Sequence, residues 1–205
     1  MNGMADGIYK VSEWFMRFAY INLLFIFFTS IGLVLFGIVP AFIAMLAVMR
    51  KWFAKEEFPV FKRYWDEYKK EFIKGNGIGF IFFVVGSILA LNFYLVQQID
   101  HMVQLPLKYG MVMITFLFVI TFLYVFPIRA QYKMSIWDCI KYAFILGVSH
   151  PLSFLLWLAG LFLIFITLRF IPGLIPFYSI CLVGAWSYWV TKRVLSKAHP
   201  FLSNQ

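Results

Sequence analysis

Apolar residues fill positions 19–42, 78–98, 109–126, 142–168 and 171–190 with few interruptions. A run of about 18 to 20 such residues is enough to cross the hydrocarbon core of a bilayer as a helix. The pattern predicts an all-α polytopic integral membrane protein, residues 1–205 forming one membrane domain with about five transmembrane helices. Ahead of the first run, Ile8, Val11, Phe15 and Phe18 recur at helical steps, which predicts a short surface helix leading into the membrane. Prolines punctuate the spans. Pro40 predicts a bend or an end to the first, Pro127 ends the third, and Pro151 divides the fourth into a juxtamembrane turn and a core of residues 152–168. Pro172, Gly173 and Pro176 predict a tight turn before the fifth, and a polar stretch at 97–108 separates the second from the third.

Residues 50–74 have a different period. Phe61, Trp65, Tyr68 and Phe72 are spaced by four, three and four, and Lys62, Arg63, Asp66, Glu67, Lys69, Lys70 and Glu71 fill the places between them. This predicts an amphipathic cytoplasmic helix lying at the interface, opened by Pro59 and closed by Gly75. The Gly-Asn-Gly-Ile-Gly run at 75–79 lacks the further glycine of a dinucleotide loop, since Phe80 stands there, so it predicts a break between this helix and the second span.

Composition narrows the functions open to such a chain. With 63% hydrophobic and 13% charged residues there is too little polar surface to clothe a water-soluble domain. The net charge of +9 sits beside apolar segments, so it points to anionic membrane lipids and away from nucleic acid. Lys and Arg are retained on the cytoplasmic side of a membrane. Across five spans, alternate segments carry 14 basic residues against four, eight of them in 50–74, which places the amino terminus outside and the carboxyl terminus in the cytoplasm. An even number of spans would spoil that contrast in this segmentation. The amino terminus lacks the basic start and small-residue cleavage site of a signal peptide, so the first run is expected to stay in the mature chain.

Candidate chemistry is sparse. No span holds an interior Asp or Glu to carry a proton or a cation. Cys139 and Cys181 stand apart without His or Asp partners, which predicts neither a metal site nor a bridge. Ser149 and His150 lack an acidic partner at their depth, so no catalytic residue, cofactor or enzyme activity is expected. The polar positions left are Asn22 and Asn92, expected to hydrogen-bond to each other across neighbouring spans, and His150 before Pro151, near the cytoplasmic headgroups. Ala143 with Gly147, and Cys181 with Ala185, are small pairs that allow close helix approach.

Three stretches carry a family resemblance: Asn22-Leu23-Leu24 with Pro40-Ala41; the Phe61 to Phe72 segment; and Tyr124-Val125-Phe126-Pro127 continuing through Arg129, Ser135, Lys141, Ala143 and Phe144 to His150-Pro151. On these the chain resembles the YesL-like bacterial membrane proteins, a family of unknown molecular function, from about Phe18 to Lys192. Members are often encoded beside carbohydrate-uptake genes. The resemblance therefore implies an accessory component of a sugar uptake system, partnered with ABC-type permease subunits through the aromatic face of Phe61, Trp65, Tyr68 and Phe72. The competing expectation is a small transporter or channel working as a homo-oligomer.

Overall fold

The computed structural model describes residues 2–98, 101–132 and 134–198. Among these the fold is all-α. Helices α1 (Asn2–Ile31), α2 (Ile38–Phe53), α3 (Val60–Val96), α4 (His101–Gln131), α5 (Ile136–Ser149), α6 (Leu152–Phe170) and α7 (Ile175–Ala198) follow one another, with a 3₁₀ turn at Pro172–Leu174. Five segments are long and apolar enough to cross a membrane: Ser12–Ile31, Val60–Val96, Gln104–Gln131, Leu152–Phe170 and Pro172–Ser196. The chain is therefore a multi-pass membrane protein.

The first apolar run is not one span. Helix α1 stops at Ile31, the chain turns over Gly32–Gly37, and α2 runs back along α1. The return is fixed by its far end, where the Trp14 ring stacks on Phe53 at 5.6 Å and the Arg17 guanidinium lies 5.6 Å from the centre of the Trp52 ring. Pro40 does not bend this segment. It lies in the first turn of α2, where a backbone N–H would have no helical partner, so its missing donor costs nothing.

Helix α2 is the centre of the molecule. Residues 38–49 hold no polar side chain, so it can be enclosed on every face, and ten of its 16 residues are buried. One flank joins Ile21, Leu24, Phe25 and Phe28 of α1 with Tyr64 and Tyr68 of α3. The other joins Ile78 and Phe82 of α3, Ile120 to Ile128 of α4, Cys139 and Ala143 of α5, and Tyr188 to Val194 of α7.

The glycines at 75–79 do not break α3, which is helical from Val60 through Val96. Their role is close approach. A Cβ on Gly75 would stand 3.1 Å from Ile43 Cδ1, and one on Gly79 would stand 2.9 Å from Val39 Cγ2, so their bare backbone admits α2. Likewise α4 continues through Pro106 and Pro127 to Gln131, and does not end at the second proline. Most of the polar stretch at 97–108 is thus helical, with residues 99 and 100 outside the described residues. Gln104 is buried there and donates to the carbonyls of Val96 and Gln97, both at 3.2 Å, satisfying the end of α3. Helix α5 begins at a local cap, with the Asp138 N–H donating to Ser135 Oγ at 3.2 Å. The chain breaks again at His150-Pro151, separating α5 from α6.

Candidate functional site

The polar and aromatic groups converge where α3 crosses the α1–α2 hairpin. Two faces of the segment that begins α3 do different work. Its aromatic face meets α1, where the Phe28 ring lies 4.9 Å from Tyr64, 5.1 Å from Tyr68, 5.5 Å from Trp65 and 5.8 Å from Phe61. Tyr64 then donates its hydroxyl to the Ala41 carbonyl at 2.7 Å, binding the same helix to α2.

This arrangement revises the expected partner face. Tyr68 is only 3% exposed, held under Phe28 and close to Gly32, so it is part of the protein's own core. Phe61, Trp65 and Phe72 remain accessible at 51%, 37% and 37%, and form a rim around a centre that α1 already occupies.

The charged face of α3 turns toward α4. Arg129 is buried and makes a two-point ion pair with Glu71, Nε to Oε2 at 2.8 Å and Nη2 to Oε1 at 2.9 Å, while its Nη1 donates to the Met134 carbonyl. Nearby, Arg50 donates to the Gln131 carbonyl at 2.6 Å, and Arg63 pairs with Glu67 at 2.6 Å. A cavity of about 240 Å³ lies between Arg50, Glu67, Lys70, Glu71, Lys74 and Arg129. Sequence reasoning counts Arg129 as one of many orienting charges and misses the pair. Both residues lie in charge-rich surroundings, and only the crossing of two helices 58 positions apart selects them. In the loop before α3, the Lys51 ammonium beside Glu56 holds that exposed carboxyl below the usual carboxylate range.

The two asparagines do not meet. Asn22 is fully buried against α7, where its Nδ2 donates to the Pro176 carbonyl at 2.7 Å and its Oδ1 accepts the Cys181 N–H at 3.1 Å. Asn92 is exposed and donates to the Ile88 carbonyl of its own helix at 2.9 Å. The expectation of facing spans fails because α2, not α3, is the antiparallel neighbour that follows α1. His150 ends α5 with φ −131° and ψ 64°, and lines a shallow depression of about 340 Å³ with Ser153 and Arg193. No group of three His, Cys, Asp or Glu side chains is placed to hold a metal ion among the described residues.

The larger openings are of another kind. A groove of about 680 Å³ between α3, α4 and α6 is lined by Gly86, Leu89, Ala90, Phe93, Phe116 and Phe154, with Thr115 its one hydroxyl. A second, of about 420 Å³, lies across the α3–α4 contact between Ile81, Phe82, Leu117, Ile140 and Phe144. Both are walled mainly by apolar side chains, with Thr121 and Lys141 at the second, and open on the outer surface of the bundle.

The family model described as "Protein of unknown function, DUF624" matches residues 18–93, which hold α1 from Phe18 onward, α2 and most of α3. Three proteins of Bacillus subtilis (strain 168) extend the similarity over nearly the whole chain. "Uncharacterized protein YteU" is 35% identical over 197 residues, 96% of this chain and 88% of the relative. The chain belongs to the DUF624 family. "Uncharacterized protein YesV" is 34% identical over 182 residues, 88% of either chain, and "Uncharacterized protein YesL" is 32% identical over 161 residues, 78% of this chain and 76% of the relative. No solved structure matches the chain. The arrangement described above, a buried α2 between a returning α1 and a long amphipathic α3, coincides with the part of the chain that the DUF624 model covers.

Proposed function

We propose that this DUF624 protein is a non-catalytic accessory component of the bacterial cell membrane that associates with the permease subunits of an ABC-type carbohydrate uptake system. The observation that carries this reading is the disposition of polar groups. Asn22, Gln104, Arg129 and Glu71 are all engaged with backbone or with each other, and the two wider grooves along α3 and α4 are mainly apolar, the charged cavity beside Arg129 being smaller. A conduit for a polar solute needs polar groups facing a path, whereas a protein that recognises other membrane proteins needs accessible apolar and aromatic surface. The rim of Phe61, Trp65 and Phe72 supplies such surface next to Lys62 and Lys69, both exposed. The carbohydrate link rests on the neighbourhood of uptake genes that the family resemblance implies.

The same reading sets the orientation. Because the hairpin returns, Lys10 and Arg17 belong to the side that carries 50–74, and the even number of passages brings the carboxyl terminus back to it. Of the 18 Lys and Arg residues, 16 then fall on one side, and only Lys108 and Arg169 on the other. This is a stronger bias than five spans give, and it favours both termini in the cytoplasm.

The test is purification at native expression level with mass spectrometry, beside a flux assay of the pure chain in proteoliposomes. A permease that co-purifies with the native chain, is lost when Phe61 and Trp65 become alanine, and accompanies no intrinsic flux is the expected result. Saturable flux by the lone chain without a partner would replace the accessory role by an oligomeric transporter.

A further inference from the structure

The turn between α1 and α2 has the wrong residues for water. Gly32-Leu33-Val34-Leu35-Phe36-Gly37 exposes Leu33 and Leu35 at 79% each, Phe36 at 59% and Val34 at 53%. Leu33 and Val34 also adopt left-handed backbone, φ 56° and 64°, a conformation that turns at an aqueous surface normally assign to Gly, Asn or Asp. What this sequence keeps, against that local preference, is an unbroken apolar tip. No charged residue occurs anywhere from 18 to 49.

Most of the N–H groups of the tip are paired within it, that of Phe36 excepted. Gly32, Leu33 and Val34 donate their N–H groups to the carbonyls of Phe28, Ser30 and Thr29, and Leu35, Gly37 and Ile38 donate to Leu33, Val34 and Val34, all between 2.8 and 3.1 Å. The Phe36 carbonyl accepts from Asn76 Nδ2 at 2.9 Å. Hydrocarbon offers no partner to a free peptide group, so pairing most of its polar atoms from within is what lets a non-helical turn enter it. A turn exposed to water would not need this.

Its reach is short. Arg17 to Ile31 and Ile38 to Arg50 rise about 21 and 18 Å, at about 1.5 Å per residue, against about 30 Å of hydrocarbon. The companion helix sets the level of the tip: Phe36 is tied to Asn76 and Val39 abuts Gly79, and the apolar stretch of α3 from Ile78 to Val96, about 27 Å, starts there, so the tip reaches the near edge of the hydrocarbon. We propose that α1 and α2 form a re-entrant hairpin, entering and leaving the bilayer through the same face, with Leu33, Val34, Leu35 and Phe36 reaching lipid acyl chains at the near edge of the hydrocarbon. This inference rests on the shared level of the hairpin's feet and on its tip, and is independent of the accessory role.

Single cysteines test it, in a chain whose Cys139 and Cys181 are alanine, reconstituted in vesicles of phosphatidylglycerol and phosphatidylethanolamine. With Leu35→Cys carrying an environment-sensitive fluorophore, quenching by nitroxides on the acyl chains is expected, with none by iodide in the water. Unlabelled Leu35→Cys is expected to resist an impermeant maleimide from either face, whereas Ser12→Cys and Lys55→Cys react from one and the same face. Leu33→Cys, equally exposed, repeats the test should the first variant not assemble. Reaction of the tip from the face opposite its feet would make the hairpin two full spans, and iodide quenching or reaction from the same face would put the tip in water. Ser12→Cys and Lys55→Cys reacting from opposite faces would restore a single span. Each of these outcomes overturns the proposal.

Discussion

The side-chain amide of Asn22 stands in for a peptide unit of α7, donating to the Pro176 carbonyl and accepting the N–H of Cys181. Replacing Asn22 by leucine removes both hydrogen bonds of a fully buried side chain and should cost about 1–3 kcal/mol. Asn22→Asp keeps the acceptor and loses the donor. Asn92→Leu, at an exposed site bonded only within its helix, should fall within about 0.5 kcal/mol of the parent. The two substitutions should add, since the residues share no partner. Reversible unfolding in detergent measures all three, and coupling between Asn22 and Asn92 would contradict the arrangement.

Arg129 and Glu71 give a different signature, because each is the other's main neutralising partner. Arg129→Met alone or Glu71→Leu alone should destabilise by about 3–5 kcal/mol, by leaving a largely buried charge without its partner. The double variant should recover much of that loss. A double variant no better than the worse single one would show that the pair is not isolated from solvent.

Much of the fold was legible in residue pattern, and the failures have definite causes. The amphipathic start of α3 was readable because its charges interrupt the apolar run at a helical period, whereas α5 begins at Ile136, ahead of the expected start at Tyr142, because Asp138 and Lys141 break the apolar run that hydropathy follows. The turn at 32–37 was not, since its residues are as apolar as the helices it joins, and hydropathy cannot tell a turn in lipid from a helix in lipid. The glycines at 75–79 misled for a related reason: in a membrane helix a glycine as often admits a neighbour as ends the helix. The Arg129–Glu71 pair and the Asn22 contact depend on crossings between distant segments, which no local pattern encodes.

Glycine positions separate close approach from mere flexibility. A Cβ on Gly160 would stand 1.9 Å from Trp186, and one on Gly147 would stand 2.1 Å from Ile120, whereas Gly110 and Gly173 have nothing within 4 Å. Alanine at 147 or 160 should therefore cost about 1–3 kcal/mol through forced repacking. Alanine at 110 or 173 should be neutral or slightly stabilising. Thermal unfolding in one detergent ranks the four.

Phe28 and Trp65 should part company in the same way. Phe28→Ala removes the ring at the centre of four others and should cost about 3–5 kcal/mol. Trp65→Ala, on the accessible rim, should cost less while abolishing recovery of a permease partner. Measuring melting and co-purification on both variants distinguishes a structural aromatic from a recognising one.

Orientation is checked by fusing an enzyme active only outside the cytoplasm. Activity is expected for fusions at Lys108 and Arg169 and is not expected after Lys55 or Lys192. Activity at the amino terminus would return the chain to an odd number of passages.

The burial of α2 has a consequence for how the protein is made. Helices α1 and α2 leave the ribosome well before some of the surfaces that cover them: α4 seats Arg50, and α7 supplies the backbone groups that satisfy Asn22. Until some 150 residues more have been synthesised, the early hairpin sits in the membrane with its amide unpaired and one flank of α2 bare. An early helix is thus completed by a late one, so a nascent chain released before Ile175 holds an unfinished α1 however faithfully it was inserted.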